Sequence, residues 1–329
     1  MSFPSLLVVW LLALLQGANE PSYRSEFIFE TAPFASCHAS TIVETASGDF
    51  LAAWFGGTRE GAPDVAIWMS RLTAGRWSPP VIVARQPNVP AWNPVMFRAP
   101  CGRIWLDYKV GSSPETWTGA RKFSDDDGRT WSVSESLPPG LLGPIKDKPI
   151  VLANGDIVAG SSTESPHNWS AWIERSTDGG NSWRRFGPVT IPGEPYGIIQ
   201  PTLVELAPNR LRLFARSRQG KIYFADSADG GRTWTAARPT SLPNPNSGID
   251  CVRLSDGRIL MVYNPSARER SPLAVAVSRD GGETWKPWLE LETGPGEFSY
   301  PAIIEDSRGN LHITYTWNRR RIKHVVIAE

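Results

Sequence analysis

Six short apolar runs along the chain are led by side chains that align with one another: His38 or the adjacent Ala39, Asn93, Lys148, Gln200, Asp250 and Tyr300, all polar except Ala39. The segments between these runs carry Arg59, Glu60 and Asp64; Glu115 and Trp117; Glu164 and His167; Arg216 and Arg218; Arg268 and Arg270; and Arg319 to Arg321. Guanidinium groups hold carboxylates through paired hydrogen bonds, so arginines gathered at one place select an anionic ligand. The chain as a whole has 34 basic and 33 acidic side chains and a formal net charge of +1. That balance gives no electrostatic footprint for nucleic acid or an anionic membrane surface. A basic site must therefore be local, and it exists only if the fold gathers these segments.

The elements that would gather them are written in two interleaved repeats. The first is a box, Ser-x-Asp-x-Gly-x-Thr/Ser-Trp, at Ser124 to Trp131, Ser176 to Trp183, Ser227 to Trp234 and Ser278 to Trp285, with a decayed copy at Ser70 to Trp77. Its tryptophans at 77, 131, 183, 234 and 285 are spaced by 54, 52, 51 and 51 residues. A period near fifty is the signature of propeller blades. The second repeat is a small or polar turn followed by a strand. It occurs six times, at Gly48, Gly102, Gly155, Asn209, Gly257 and Gly309, each turn preceded by an apolar strand such as Val95 to Phe97 or Ala302 to Ile304. Six hairpins predict six blades. The composition agrees, since 29 Gly, 29 Pro and 15 Trp describe an all-β chain full of turns.

The last unit ends without a box or a fourth strand, and Glu26 to Thr31 has the alternation to supply it. The reading is an all-β, six-bladed propeller closed by an N-terminal strand that completes the last blade. The innermost strands then line a channel. The six aligned side chains ring one mouth with the loops between second and third strands, while the boxes lie on the opposite face and serve structure. The run Leu6 to Leu15 is too short to span a bilayer and fits a signal h-region. Residues 1–18 are read as a signal peptide and 19–329 as one domain, secreted or periplasmic, with no stable membrane insertion once the signal is cleaved. Asn168-Trp169-Ser170 is a possible glycan acceptor. Cys37, Cys101 and Cys251 have no paired or metal-ligand spacing, and no phosphate loop or nucleophile elbow is present, so neither metal nor cofactor is expected.

The boxes, their spacing and the blade count resemble the sialidase (neuraminidase) superfamily over nearly all of the chain after the signal segment. The resemblance implies an arginine triad for the substrate carboxylate, a tyrosine nucleophile with a glutamate base, and an acid/base aspartate. Tyr300, in Phe298-Ser299-Tyr300-Pro301, resembles the nucleophile; Arg216 resembles the second triad arginine, with Arg218 beside it; Arg268 or Arg270 resembles the third. Glu60 or Asp64 falls in the loop of the acid/base. Asn93, Lys148 and Asp250 complete the polar ring as substrate-binding candidates.

Two positions depart from the pattern. His38-Ala39-Ser40 replaces the family's Arg-Ile-Pro, with Arg59 as a possible stand-in for the missing arginine, and Gln200 stands where the base is expected. Glutamine cannot accept a proton from tyrosine, and a neutral histidine adds no fixed charge. Exo-sialidase-type hydrolysis of an acidic oligosaccharide or glycoconjugate is the leading expectation. The departures also suit a polysaccharide lyase acting by β-elimination on a rhamnosyl-glucuronate glycan, with His38 and Tyr300 as base and acid. A third reading is a glycan-binding propeller without catalysis, with Trp92, Trp117 and Trp317 as stacking faces.

Overall fold

The computed structural model describes residues 21–328, so the segment read as a signal lies outside the described residues. Alternating β-branched, aromatic and small residues give strands throughout, and no helix occurs among the described residues. The strands form six antiparallel sheets arranged as the blades of a propeller. Their innermost strands are Ser36–Glu44, Ala91–Arg98, Ile150–Val151, Ile198–Ala207, Asp250–Arg253 and Phe298–Glu305.

Most of these strands and their partners are buried on both faces, because each sheet packs between two neighbours; the short strand Ile150–Val151 is the exception, with Val151 exposed. Seven of the nine residues of Ser36–Glu44 and all eight of Phe50–Gly57 are buried. Trp54, Phe55, Phe214 and Tyr315 are fully enclosed between blades. Some polar atoms that fall in this core are paired across blades, as where the Met96 amide donates to Thr41 Oγ1 at 3.1 Å, whereas Trp54 Nε1 is buried without a partner.

The ring closes as its sequence implied. Tyr23–Phe27 pairs antiparallel with Arg321–Ile327, making the fourth strand of a sheet otherwise built from the C-terminus. The closing strand begins three residues earlier than Glu26 and ends at Phe27, with one more bond from the Ile28 amide to the Ile322 carbonyl. Pairing the two ends ties the start of the chain to the last blade and so closes the ring, with Tyr23–Phe27 as the outer strand.

The four intact boxes share one design. In Ser227 to Trp234, Asp229 accepts from Ser227 Oγ at 2.8 Å, from the Arg232 and Thr233 amides at 2.9 Å and from Thr233 Oγ1 at 2.6 Å. The same contacts hold Asp126 and Asp280, and Asp178 accepts from Ser176 Oγ and from the Ser182 amide and hydroxyl. Burial raises the carboxyl groups of Asp178, Asp229 and Asp280, but these bonds more than offset it and keep all four below the usual carboxylate range. The decayed copy has no aspartate to organise a loop. There Leu72 pairs with Trp77 and Thr73 with Arg76 across a two-residue turn, Ala74 and Gly75, both at positive φ.

Candidate active site

Four innermost strands open on the same irregularity. Their ladders break between His38 and Thr41, Trp92 and Val95, Ile199 and Thr202, and Ser299 and Ala302. Within the breaks Ala39, Asn93, Gln200 and Tyr300 have φ of 56°, 41°, 54° and 53°. Proline follows at 94, 201 and 301, where a missing N–H costs nothing because the ladder is already interrupted. Such a bulge re-aims a side chain, and its repetition around one axis turns these residues to one mouth.

Tyr300 is the meeting point. Its hydroxyl oxygen accepts from Arg216 Nη1 at 2.5 Å and, at the long distance of 3.5 Å, from Gln200 Nε2. Arg216 Nη1 also donates to Gln200 Oε1 at 3.2 Å. The other nitrogens of Arg216 are taken up by Asn246, whose side-chain oxygen receives Nε at 3.0 Å and Nη2 at 2.7 Å and whose carbonyl receives Nη2. Arg270 Nη2 shares that carbonyl at 3.3 Å, and its Nη1 donates to Glu297 at 2.9 Å. Arg319 Nε donates to the same Glu297 oxygen at 2.7 Å and its Nη1 to Glu60 at 2.5 Å. One continuous network therefore runs Glu60, Arg319, Glu297, Arg270, Asn246, Arg216, Tyr300. Burial raises the Glu297 carboxyl, but Arg319 and Arg270 more than offset this and hold it below the ordinary range.

His38 lies against the tyrosine, ring centroids 4.0 Å apart. Its Nδ1 shares a 2.9 Å hydrogen bond with Thr316 Oγ1, while Nε2 is buried without a partner. Burial, and then the cations of Arg319, Arg270, Arg216 and Lys146, keep this histidine well below its ordinary pKa and hence neutral. Beneath the mouth, buried Lys146 donates to Asp147 at 2.7 Å and to the carbonyls of Ile249 and Pro301. Burial pushes the Asp147 carboxyl up to about 7.

The remaining candidates divide by position. Lys148 donates to Asp250 at 2.8 Å and to the Cys251 carbonyl. Asp250 also receives Thr202 Oγ1 and the Ile303 amide, so this pair ties blades three, four, five and six together within the channel. Asn93 is buried at its bulge. Arg218 is directed elsewhere, stacked over Trp169 and Tyr196 at 5.2 and 4.6 Å. Arg268 is exposed in its loop, whereas Arg270 joins the network. Arg59 is exposed, and among the described residues no ion pair engages it. Asp64 closes its own turn, accepting the Thr58 amide at 2.9 Å and hydroxyl at 2.6 Å, which hold its carboxyl below the usual range. Trp92 and Trp117 are buried edge to face at 6.0 Å and offer no open stacking face.

The third guanidinium of the mouth is thus Arg319, which sequence reasoning grouped among the loop arginines without giving it a role. Its carbonyl accepts the Cys37 amide at 2.8 Å, which seats the sixth blade's loop beside the first inner strand and His38. The run Arg319 to Arg321 was the available signal. Glu297, Asn246 and Lys146 carried no signal, because each becomes a site residue only through partners far away in sequence.

The description "BNR repeat-like domain" matches residues 48–313. The chain is 28% identical over 181 residues to a sialidase of Micromonospora viridifaciens, covering 50% of this chain and 26% of that protein. It is 28% identical over 218 residues to a sialidase of Bacteroides fragilis, covering 58% of this chain and 38% of that protein. The matches thus span about a quarter to two fifths of those relatives' length. The solved Hadza microbial sialidase Hz136 superposes with a TM-score of 0.73 at 22% identity, over 89% of this chain and 65% of that one, a likeness of fold.

Proposed function

The chain belongs to the BNR repeat-like, sialidase-type propeller family, and on that footing we propose that it is a glycosidase removing a terminal sialic acid from a glycoconjugate. The observation that carries this reading is the chain of three guanidinium groups, Arg319, Arg270 and Arg216, ending on the Tyr300 hydroxyl. A guanidinium has five N–H donors. Arg270 and Arg319 each commit two nitrogens to protein oxygens, which leaves donors for a substrate carboxylate. Arg216 is committed to Asn246, Gln200 and Tyr300, and so acts mainly on the tyrosine.

With the carboxylate so held, the Tyr300 oxygen attacks the anomeric carbon. The phenol proton passes to water, and the bond to the leaving oxygen breaks as that oxygen takes a proton. Water then displaces the tyrosine, whose phenolate takes back a proton from water to restore the hydroxyl, and Arg216 stabilises the charge that develops on the departing phenolic oxygen. The apolar run Leu6 to Leu15 supports action outside the cytoplasm.

One observation favours a second reading. Neutral, unpartnered His38 Nε2 beside Tyr300 suits abstraction of a C5 proton from a uronate, with elimination in place of hydrolysis. Incubation with a sialyl-galactoside and with a rhamnosyl-glucuronate glycan separates the two. Hydrolysis releases sialic acid and is abolished by Tyr300→Phe, while His38→Ala leaves it measurable. Elimination gives an unsaturated uronate absorbing in the ultraviolet and is weakened by either substitution. Tight binding of either glycan with no product contradicts both and favours a non-catalytic lectin.

A further inference from the structure

The hydrolytic reading needs an acid for the leaving oxygen, and neither carboxyl of the Glu60 to Asp64 loop is placed to be one. Glu60 is paired with Arg319. Asp64 is exposed and held ionised by two bonds from Thr58.

A third carboxyl lies across the mouth. Glu164 ends the strand Ile157–Glu164, the second of blade three. Alternation sorts this strand into two faces. Thr163 shares one face with Ser170, to which its hydroxyl is bonded, and Ala159 is on that face opposite Glu174, whose carboxylate reaches the Leu142 and Gly143 amides of blade two. Gly160, Ser162 and Glu164 share the other face. A Cβ on Gly160 would lie 1.9 Å from the Pro201 carbonyl, and Ser162 Oγ accepts the Gln200 amide at 3.3 Å. That face therefore runs up the inner strand of blade four as far as Gln200, and Glu164, at the end of the strand, lines an open cleft with Glu115, Trp117, Leu142 and Arg185. Among the described residues no hydrogen bond or ion pair engages its carboxyl group, although it is half-buried. The charges around it are Arg216, Glu115 and Glu60. Burial pushes the carboxyl up, Arg216 pulls it down, and Glu115 and Glu60 add repulsion, with a net rise.

We propose that Glu164 is the catalytic acid that protonates the leaving oxygen of the sugar held by Arg216, Arg270 and Arg319. In the forward half-reaction the Glu164 proton moves to the glycosidic oxygen as the C–O electron pair stays on that oxygen, releasing an alcohol. In the second half Glu164 takes the proton of the attacking water and is restored, so that the sum is addition of water across the bond. This rests on the hydrolytic reading above.

The test compares wild type with Glu164→Gln and Glu164→Asp on two substrates, a sialyl-galactoside and a nitrophenyl sialoside whose phenolate leaves without a proton. Loss of a general acid costs about 10²- to 10⁴-fold where protonation is needed. The expected result is a loss in that range in kcat/KM for the galactoside with Glu164→Gln and a loss of less than about tenfold for the aryl substrate. The fall in wild-type activity on the alkaline side disappears in the same variant, and Glu164→Asp recovers part of the galactoside activity. Equal losses on both substrates, or none on either, overturn the role of Glu164 and leave the hydrolytic reading standing. A wild type inactive on both substrates overturns the hydrolytic reading and this proposal together. Should Glu164→Gln fail to fold, Glu164→Asp carries the same comparison of substrates.

Discussion

Individual side chains do two kinds of work in this ring, and buried histidines illustrate both. His38 is neutral at the mouth, whereas His312 and His324 are neutral in the seam that closes the propeller, 3.0 Å apart between Nδ1 and Nε2. Asp306 faces His312 at 3.2 Å and Glu26 faces His324 at 3.4 Å, with Arg24 nearby and Phe50 and Trp77 packed on the rings. Burial, and then His324, lower His312 from 6.5 to about 4. A depressed histidine favours the folded state while neutral, so its stabilisation is complete above the unfolded pKa. It is lost as pH falls from about 6.5 to about 4. At 1.36 kcal/mol per unit the full effect is on the order of 3 kcal/mol. Urea midpoints measured at pH 7, 5.5 and 4.5 should fall steadily for wild type and distinctly less for His312→Gln. An identical slope in the two proteins would show that this histidine does not govern the closure.

At the scale of strands, period and turn chemistry made the architecture readable, because a repeated box leaves its mark at every copy. The Asp126, Asp178, Asp229 and Asp280 loops, the six hairpins and the ring-closing strand all follow from local residues and spacing. The decayed box was readable as a turn but not as a two-residue hairpin, since the change hangs on the missing aspartate. The site was legible where a residue sits at a repeated position, as Gln200 and Tyr300 do. It was not legible where loop path decides, and so Arg218 turns to Trp169 while Arg319 crosses to the first blade. The contact of Gly160 with Pro201 is another fact of the assembled sheets. Alanine at 160 would drive its Cβ into a backbone carbonyl directly below Gln200. Gly160→Ala should cost about 2 kcal/mol or more of stability, from overpacking between blades. It should also lower kcat/KM by disturbing the bulge at Gln200. Unchanged melting and turnover would mean that the blades part without strain.

The whole molecule brings residues of all six blades to one axis, and its net charge of +1 gives no hint of the cations concentrated there. Three guanidiniums around Tyr300, two of them bridged by Glu297, are the consequence of closing the ring with the correct number of blades. The central claim is that this mouth reads a carboxylate. Equilibrium binding of sialic acid and of its carboxamide, by wild type and Arg319→Ala, tests that claim most directly. A charge-assisted hydrogen bond contributes about 1.5–3 kcal/mol, so wild type should prefer the acid by roughly 10- to 100-fold. Arg319→Ala should remove most of that preference. Equal binding of acid and amide by wild type, or an undiminished preference in the variant, would contradict the account.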